Sequence, residues 1–267
     1  MRSLGWRVET VAWRSNPDWN QFAAVYICAP WDYPQHCDEF RAVLERIDAS
    51  AAILFNDKST VEWNLEKTYL RDVAAGGGDI VPSSWYEFFD AAAVPGFFTA
   101  HACDTVVIKP TIGANAQDTF VLNNPVDDAL VEHLARVFKS QRFFVQPFID
   151  NIQTEGEYSL FFFNGEYSHA ILKTPEAGDF RVQEEHGAAI NACTPPETLL
   201  RIANEVFARI QPLPLYGRGD WVRGSDGRFL LMELELIEPS LYLRTDRDAA
   251  TRFAVAFDQR FKELAGK

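Results

Sequence analysis

The hydrophobic pattern of this chain changes period many times along its length. Apolar runs of strand length alternate with stretches in which apolar residues recur every three or four positions, which predicts a mixed α/β (α+β) architecture. Strands are expected over residues 7–13 (RVETVAW) and 23–29 (AAVYICA), then a helix over HCDEFRAVLERI and a short strand at AILF. STVEWNLEKTYLRDVAAGGG reads as one helix, with Ser59 as its N-cap and the glycines as its stop. DIVPSSW then reads as a strand entering a linker. A boundary is expected near residue 85, because longer strands joined by hairpins follow it.

In this second part DTVVIKP reads as a strand leading into the small-residue loop TIGANAQ, PVDDALVEHLARVF as a helix and RFFVQPFI as a strand. EYSLFFFNGEYSHAILK carries a strong hairpin signal with Asn164-Gly165 at the turn. TPPETLLRIANEVFARI is helical in period, and PLYGRGDWVRGSDGRFLLMELEL is a second hairpin around Asp226-Gly227. DRDAATRFAVAFDQRFKELA closes the chain as an amphipathic helix.

One strand breaks the apolar rule. In LLMELELIEPSLYL, residues 230–243, Glu233 and Glu235 leave on one face while Met232, Leu234 and Leu236 leave on the other. Like charges on a half-buried face repel and lose hydration, so they require a cation or donors between them. A two-residue turn at Asp226-Gly227 sets Asp220 opposite Glu233 and Arg218 opposite Glu235, with all four side chains on one face of the ribbon. Asp220, Glu233 and Glu235, without His or Cys, suit a hard cation, Mg²⁺ or Mn²⁺, that also binds phosphates. An arginine-neutralised acidic ladder facing solvent fits the same spacing, which does not choose between the two.

Composition narrows the field. The 267 residues, 47% hydrophobic and 24% charged, suffice for one large domain or two. The formal charge of -13 disfavours nucleic acid and anionic lipid, so a phosphate ligand needs locally gathered Lys, Arg or metal ions. No apolar run reaches the roughly 18 to 20 residues of a membrane span, and the opening MRSLGWRVETVAW lacks a signal-peptide core, so a cytoplasmic protein without a membrane partner is expected. Cys28, Cys37, Cys103 and Cys193 contain no close-spaced zinc or redox pair, in keeping with reduced thiols. Lys109 ends its strand just before TIGANAQDT, a loop whose backbone amides can approach phosphate oxygens. Lys67 is a second candidate cation. Residues 172–189, LKTPEAGDFRVQEEHGAA, set Lys173, Arg181 and His186 among glycines and are expected to form a mobile loop or a phosphate-closing lid.

Taken in order, WNLEKTYL, VVIKPTIGANA, FVQPFI, GEYSLFFFNGEYSHAILK, GDFRVQ, LYGRGDWV and LMELELIEPSLYL resemble the ATP-grasp superfamily, in particular its prokaryotic glutathione-synthetase-like group that includes the D-cycloserine-forming ligase. Each motif alone is weak; the ordered set is specific, and it runs from about residue 23 to the C-terminus. The resemblance implies an ATP-grasp domain over residues 86–267, in two subdomains around a hinge near 146–149, preceded by a substrate domain over 1–85 that is shortened at its start. It implies that Lys67 and Lys109, with Arg181, contact ATP phosphates, that Gln146 by side chain and Phe148 and Ile149 by backbone hold adenine, and that Glu157 holds the ribose. Asp220, Glu233 and Glu235 are implied metal ligands, and Arg218 resembles the arginine that steadies the tetrahedral oxyanion in D-alanine:D-alanine ligase.

The implied activity is ATP-dependent ligation. A carboxylate is activated as an acyl phosphate and joined to an amine or related nitrogen nucleophile, with release of ADP and phosphate. Amino acids or small peptide-like molecules are the implied substrates, and homodimers are common in the superfamily. Two departures matter. Relatives carry an arginine-led motif ending in WDY, whereas this chain has Cys28-Ala29-Pro30-Trp31-Asp32-Tyr33, and HGA replaces their HGG. WDY follows a strand, where ligands of open α/β sheets bind, so Trp31, Asp32 and Tyr33 are candidate substrate residues, with a packed aromatic loop as the competing reading. Glu238 and Ser240, beyond the metal pair, are expected to turn the chain toward the substrate end. The missing arginine and the short start leave open a nucleotide-binding module without chemistry, or a phosphotransferase acting on a non-carboxylate acceptor.

Overall fold

In the computed structural model, which describes residues 1–266, the chain builds three sheets. The first is a parallel pair, β1 (Ala24–Tyr26) and β2 (Ile53–Phe55), connected through α1 (Cys37–Asp48). Phe40, Val43, Leu44 and Ile47 recur at helical spacing along α1 and bury in one core with Leu54, Trp19 and Tyr33. Next come α2 (Lys58–Asn64), α3 (Tyr69–Ala75), β3 (Ser84–Tyr86), α4 (Val94–His101), β4 (Thr105–Pro110), β5 (Phe120–Asn123), α5 (Asp128–Val137), β6 (Phe143–Pro147) and the short α6 (Asn151–Thr154). The strands β3, β6, β4 and β5 pair antiparallel in that order, and Phe97, Val106, Ile108, Leu134 and Phe143 pack α4 and α5 against them.

The third sheet takes the remaining strands: β7 (Glu157–Phe163), β8 (Glu166–Thr174), β9 (Ala189–Ala192), β10 (Tyr216–Arg223) and β11 (Phe229–Glu235), in the antiparallel order β11-β10-β7-β8-β9. Between β9 and β10 runs α7 (Glu197–Ala208), and α8 (Ala249–Ala265) ends the chain. Leu160, Phe162, Trp221 and Leu234 face α7, meeting Leu199, Ala203 and Phe207 in a core with Leu70 of α3. Strand alternation therefore sends Glu157, Ser159, Arg218, Asp220, Glu233 and Glu235 out of the opposite face, and that face is one wall of a cleft. Gly219 is required on the packed side: a Cβ there would stand 2.1 Å from the Trp221 indole.

Edge strand β11 is sealed by side chains rather than by another long strand. Asn64 donates to the Leu234 carbonyl at 2.8 Å and accepts from the Leu236 N–H at 2.7 Å, while the Tyr69 hydroxyl accepts from the Leu234 N–H at 2.9 Å. Asn56 likewise ties β2 to Tyr216 and Leu236 at 2.7 Å each. These contacts satisfy backbone groups that would otherwise be lost to burial, and they hold α2 and α3 beside the acidic strand.

Several sequence expectations need correction. Residues 7–13 form no strand, because β1 pairs only with β2; Val11 and Trp13 instead act as anchors into the α1 core, with Trp13 edge-on to Phe40. The single helix expected from Ser59 is two helices, and its N-cap is Asp57, whose carboxylate accepts from the Thr60 N–H at 2.9 Å and from the Ser59 hydroxyl. The break falls at Lys67, whose N–H donates to Thr111 O at 2.7 Å instead of continuing a helical ladder. No element was expected at α4, β5 or β9; α4 is masked in sequence by its internal Pro95 and Gly96.

Both long hairpins carry a one-residue bulge. From the Asn164-Gly165 turn, regular counting puts Leu172 opposite Glu157, but a register shift between Phe161 and Phe162 leaves Ser168 unpaired and brings Lys173 there. In β10–β11 the turn is one residue longer than expected, with the Gly224 N–H donating to Arg228 O, so Trp221 faces Leu231. That register alone would flip the acidic face. The bulge at Met232 restores it, giving Asp220 opposite Glu233 and Arg218 opposite Glu235. Among the described residues no helix is long and apolar enough to cross a membrane.

Candidate active site

The cleft lies between the four-stranded and five-stranded sheets. Lys109 and Gln146 come from the former, and Glu157, Lys173, Arg218, Asp220, Glu233 and Glu235 from the latter. Lys67 enters from the α2–α3 break, Phe180 to Gln183 cover one side, and Trp31, Tyr33, Glu238, Ser240 and Tyr242 close the far end.

Charges alternate across the floor. Arg218 makes a forked contact with Asp220, Nε to both carboxylate oxygens at 3.1 Å and Nη2 to Oδ2 at 3.0 Å, and its Nη2 also pairs with Glu235. Lys173 Nζ bridges Glu157 at 2.8 Å and Asp220 at 3.3 Å, and the Ser159 hydroxyl donates to Asp220 at 2.5 Å. Lys67 Nζ reaches Glu233 at 2.9 Å and the Gly113 carbonyl at 2.8 Å, which joins the acidic strand to the small-residue loop. Lys109 Nζ donates to the Gln146 side-chain oxygen at 3.1 Å, and Gln146 in turn donates to the Ser83 hydroxyl.

The titration behaviour follows from this partition. Desolvation pushes the Asp220 and Glu233 carboxyls up, but Arg218 with Lys173 outweighs it at Asp220 and Lys67 outweighs it at Glu233, so both stay below the usual carboxylate range. At Glu235 burial, reinforced by Glu233 and Asp220, prevails over Arg218 and moves the carboxyl up to about 7. At Glu238 burial, joined by Glu235, moves it up to about 8. Burial also pulls the Lys109 ammonium down. Anionic and near-neutral carboxyls thus stand side by side, as in a site that adjusts its charge to what it binds.

Oxygens of Asp220, Glu233 and Glu235 lie within 4.8 Å of one another. An all-carboxylate set at this spacing fits a hard divalent cation, and the residues present therefore suit Mg²⁺ or Mn²⁺. Of the other expected residues, Gln146, Phe148, Ile149, Glu157, Arg181, Trp31, Tyr33, Glu238 and Ser240 all line the cleft. Arg181 does so while held by Asp179, Nη2 to Oδ2 at 2.7 Å. Asp32 does not line it: its carboxylate turns outward to the Trp13 indole N–H at 2.9 Å and to Arg14 at 3.3 Å. Sequence reasoning put Lys173 on the mobile loop and missed its place in the floor, since the Ser168 bulge that moves it has no sequence signal. Ser159 was also missed, although it stands two residues after Glu157 on the same face.

Comparison with known proteins fixes the family. A family model described as the N-terminal domain of D-cycloserine synthetase DcsG matches residues 1–56. The cycloserine biosynthesis protein DcsG of Streptomyces lavendulae is 32% identical over 280 residues, covering 98% of this chain and 91% of that protein. The chain belongs to the DcsG family of ATP-grasp ligases. As a member of the DcsG family it is an ATP-dependent ligase that forms carbon–nitrogen bonds from a carboxylate and a nitrogen nucleophile. The crystal structure of D-cycloserine synthetase DcsG superimposes with a TM-score of 0.88 at 33% identity, covering 98% of this chain and 92% of that one. D-alanyl-alanine synthetase A of Vibrio cholerae shares the fold at a TM-score of 0.63 and 13% identity, over 89% of this chain and 74% of its own. The ATP-grasp ligase PsnB in complex with its minimal precursor, Mg and ADP shares it at 0.59 and 17% identity, over 85% and 68%.

Proposed function

We propose that the cleft binds ATP between the two sheets and delivers its terminal phosphoryl group to the carboxylate of a small amino acid or peptide-like substrate. The observation that carries this reading is the row of carboxylates and cations on one sheet face, Lys173, Glu157, Asp220, Arg218, Glu235 and Glu233, met at its end by Lys67 from the α2–α3 break and lying opposite Lys109. Adenine would lie against β6 and the segment after it. The Phe148 N–H is committed to Thr105 O and the Ile149 carbonyl to the Ile152 N–H, so the Phe148 carbonyl and the Ile149 N–H are left as an acceptor–donor pair for a base edge. Gln146 and Lys109 stand beside it, and Glu157, which lines the same cleft, would hold the ribose hydroxyls.

Lys67, Lys109 and Arg181 would hold phosphate oxygens; for Lys67 this means leaving Glu233, and for Arg181 leaving Asp179. Asp220, Glu233 and Glu235 would hold Mg²⁺, which supplies charge neutralisation to the phosphate oxygens during transfer. Arg218 would stay with the substrate carbon centre: when the nitrogen nucleophile adds to the acyl phosphate, its guanidinium stabilises the tetrahedral oxyanion until phosphate leaves. Residues 1–85 would form the substrate side and 86–267 the nucleotide side, with motion about 146–149. Such an enzyme would work in the cytoplasm, where ATP is supplied.

The test is release of ADP and phosphate from ATP and Mg²⁺ in the presence of an amino-acid panel. Glu235→Gln is expected to lower turnover by about 100-fold or more while an ATP analogue still binds. An ATP-binding chain that produces no ADP with any panel member would refute the carboxylate-activating reading, and product mass would separate amide formation from phosphorylation of another acceptor.

A further inference from the structure

Two charged side chains outside the cleft converge on the segment that carries Lys67. Glu66 precedes it in the α2–α3 break, and Arg142 stands one residue before β6; neither lines the cleft. Arg142 Nη2 donates to Glu66 Oε2 at 2.7 Å, and its Nε faces Glu87, just after β3, at 4.0 Å. The first contact joins two bodies of the fold. Asn64 and Tyr69 fix the break to β11 at the edge of the five-stranded sheet, whereas Arg142 leads into a strand of the four-stranded sheet.

The backbone closes this link into a ring. The Lys67 N–H donates to Thr111 O at 2.7 Å, and the Thr111 N–H donates to Arg142 O at 3.0 Å. Thr111 is buried, follows β4 directly and opens the small-residue loop whose Gly113 carbonyl accepts from Lys67 Nζ. Glu66, Lys67, Thr111 and Arg142 thus form a closed circuit. The ion pair adds a third tether to the two backbone bonds, and it is the one that a side-chain substitution can remove.

The pair is kept on terms that stability alone does not explain. The Glu66 side chain is 18% exposed, and its other oxygen, Oε1, is buried with no hydrogen-bond partner among the described residues. Such an oxygen is costly to withdraw from water, and an ion pair whose arginine is 49% exposed returns little stability. What the pair holds in place accounts for it better. Lys67 Nζ rests on Glu233, a residue that the proposed function also gives to the metal, so the ammonium must change partner when Mg²⁺ and ATP enter. A side chain that changes partner requires a backbone that stays put.

We propose that Glu66 and Arg142 are positioning residues: their ion pair locks the α2–α3 break to the four-stranded sheet, so that the Lys67 ammonium meets the phosphate oxygens of ATP from a fixed backbone. This deepens the proposed function and rests on its assignment of Lys67. Holding the backbone in advance spares the ordering cost of the charged group when ATP binds.

The experiment is calorimetric titration of the full chain, in Mg²⁺, with a non-hydrolysable ATP analogue and, separately, with adenosine, which has base and ribose but no phosphate. Arg142→Met is expected to weaken the analogue about 10-fold, with adenosine unchanged and the Tm within about 3 °C of the wild type. Glu66→Ala removes the pair from the other side and should give the same loss. Arg142→Lys should recover affinity to within about 3-fold of the wild type, because it restores the charge without the fork. In a Lys67→Met background, where the analogue is already weakened, Arg142→Met should cost no more than about 2-fold further, the mark of a residue that acts through Lys67. Undiminished analogue affinity in both Arg142→Met and Glu66→Ala, an equal loss with adenosine, or a full additional loss in the Lys67→Met background would each overturn the positioning role. Analogue binding unchanged by Lys67→Met itself would overturn the assignment of Lys67 to the phosphates, and the positioning role with it.

Discussion

Lys173 shows how much one buried side chain holds in place here. Its side chain is 6% exposed, and its ammonium compensates two carboxylates on other strands of the sheet, Glu157 and Asp220. Arg218 can still neutralise Asp220 if the lysine is removed, but Glu157 has no other ion pair among the described residues. Lys173→Met is therefore expected to destabilise the fold by about 3 kcal/mol at neutral pH, the size of breaking a buried pair from one side, measured by urea unfolding. The sign with pH follows from Glu157, whose carboxyl is already raised by burial. A raised carboxyl binds its proton more tightly in the folded state, so stability falls as pH rises through the range between its unfolded and folded values. The deficit of the variant should be larger at pH 8 than at pH 5; a deficit that is flat or grows toward acid would contradict the assignment.

At the scale of elements, the β10–β11 ribbon sets the site through packing as much as through charge. Gly219 and Trp221 share its packed face, and the indole lies over the glycine where a Cβ would come within 2.1 Å. Trp221 is fully buried. Gly219→Ala is expected to cost about 3 kcal/mol, the upper end of overpacking a core by one methyl, read as a fall in Tm with loss of ATP-analogue binding. An Ala variant as stable as the wild type would show that the ribbon moves more freely than its packing implies. The break between α2 and α3 works in the same way. Lys67 reaches the cleft because its N–H is taken by Thr111 and its Nζ by Gly113 and Glu233, so a helix that continued through it would carry the charge away from the floor.

For the whole molecule, net charge and nucleotide binding pull in opposite directions. A chain of formal charge -13 repels a polyanionic ligand unless cations gather locally, and three of the cleft cations, Lys67, Lys173 and Arg218, are already paired with carboxylates. ATP is accordingly expected to bind as its Mg²⁺ complex. Saturation at 100 times Kd should stabilise the fold by about 2.7 kcal/mol, seen as a Tm increase, and EDTA should remove most of that increase. An equal shift from ATP with EDTA present would argue against metal binding at Asp220, Glu233 and Glu235.

The sequence by itself determined the alternation that separates an apolar sheet face from an acidic one, the Asn164-Gly165 turn, the ordered motifs of an ATP-grasp ligase and the grouping of Asp220, Glu233 and Glu235, since these depend on local periodicity and residue chemistry. It did not determine the two bulges, at Ser168 and Met232, because register beyond a turn is set by which side chains the opposing layers can bury. Those bulges decide that Lys173 meets Glu157 and that the acidic row faces the cleft despite a longer turn than the sequence suggests. The outward turn of Asp32 and the burial of Glu238 were likewise decided in three dimensions, by Trp13 and Arg14 in one case and by enclosure beside Trp31 and Tyr33 in the other. Periodicity assigns a residue to a face, whereas its charge partner depends on long-range packing that no local window contains.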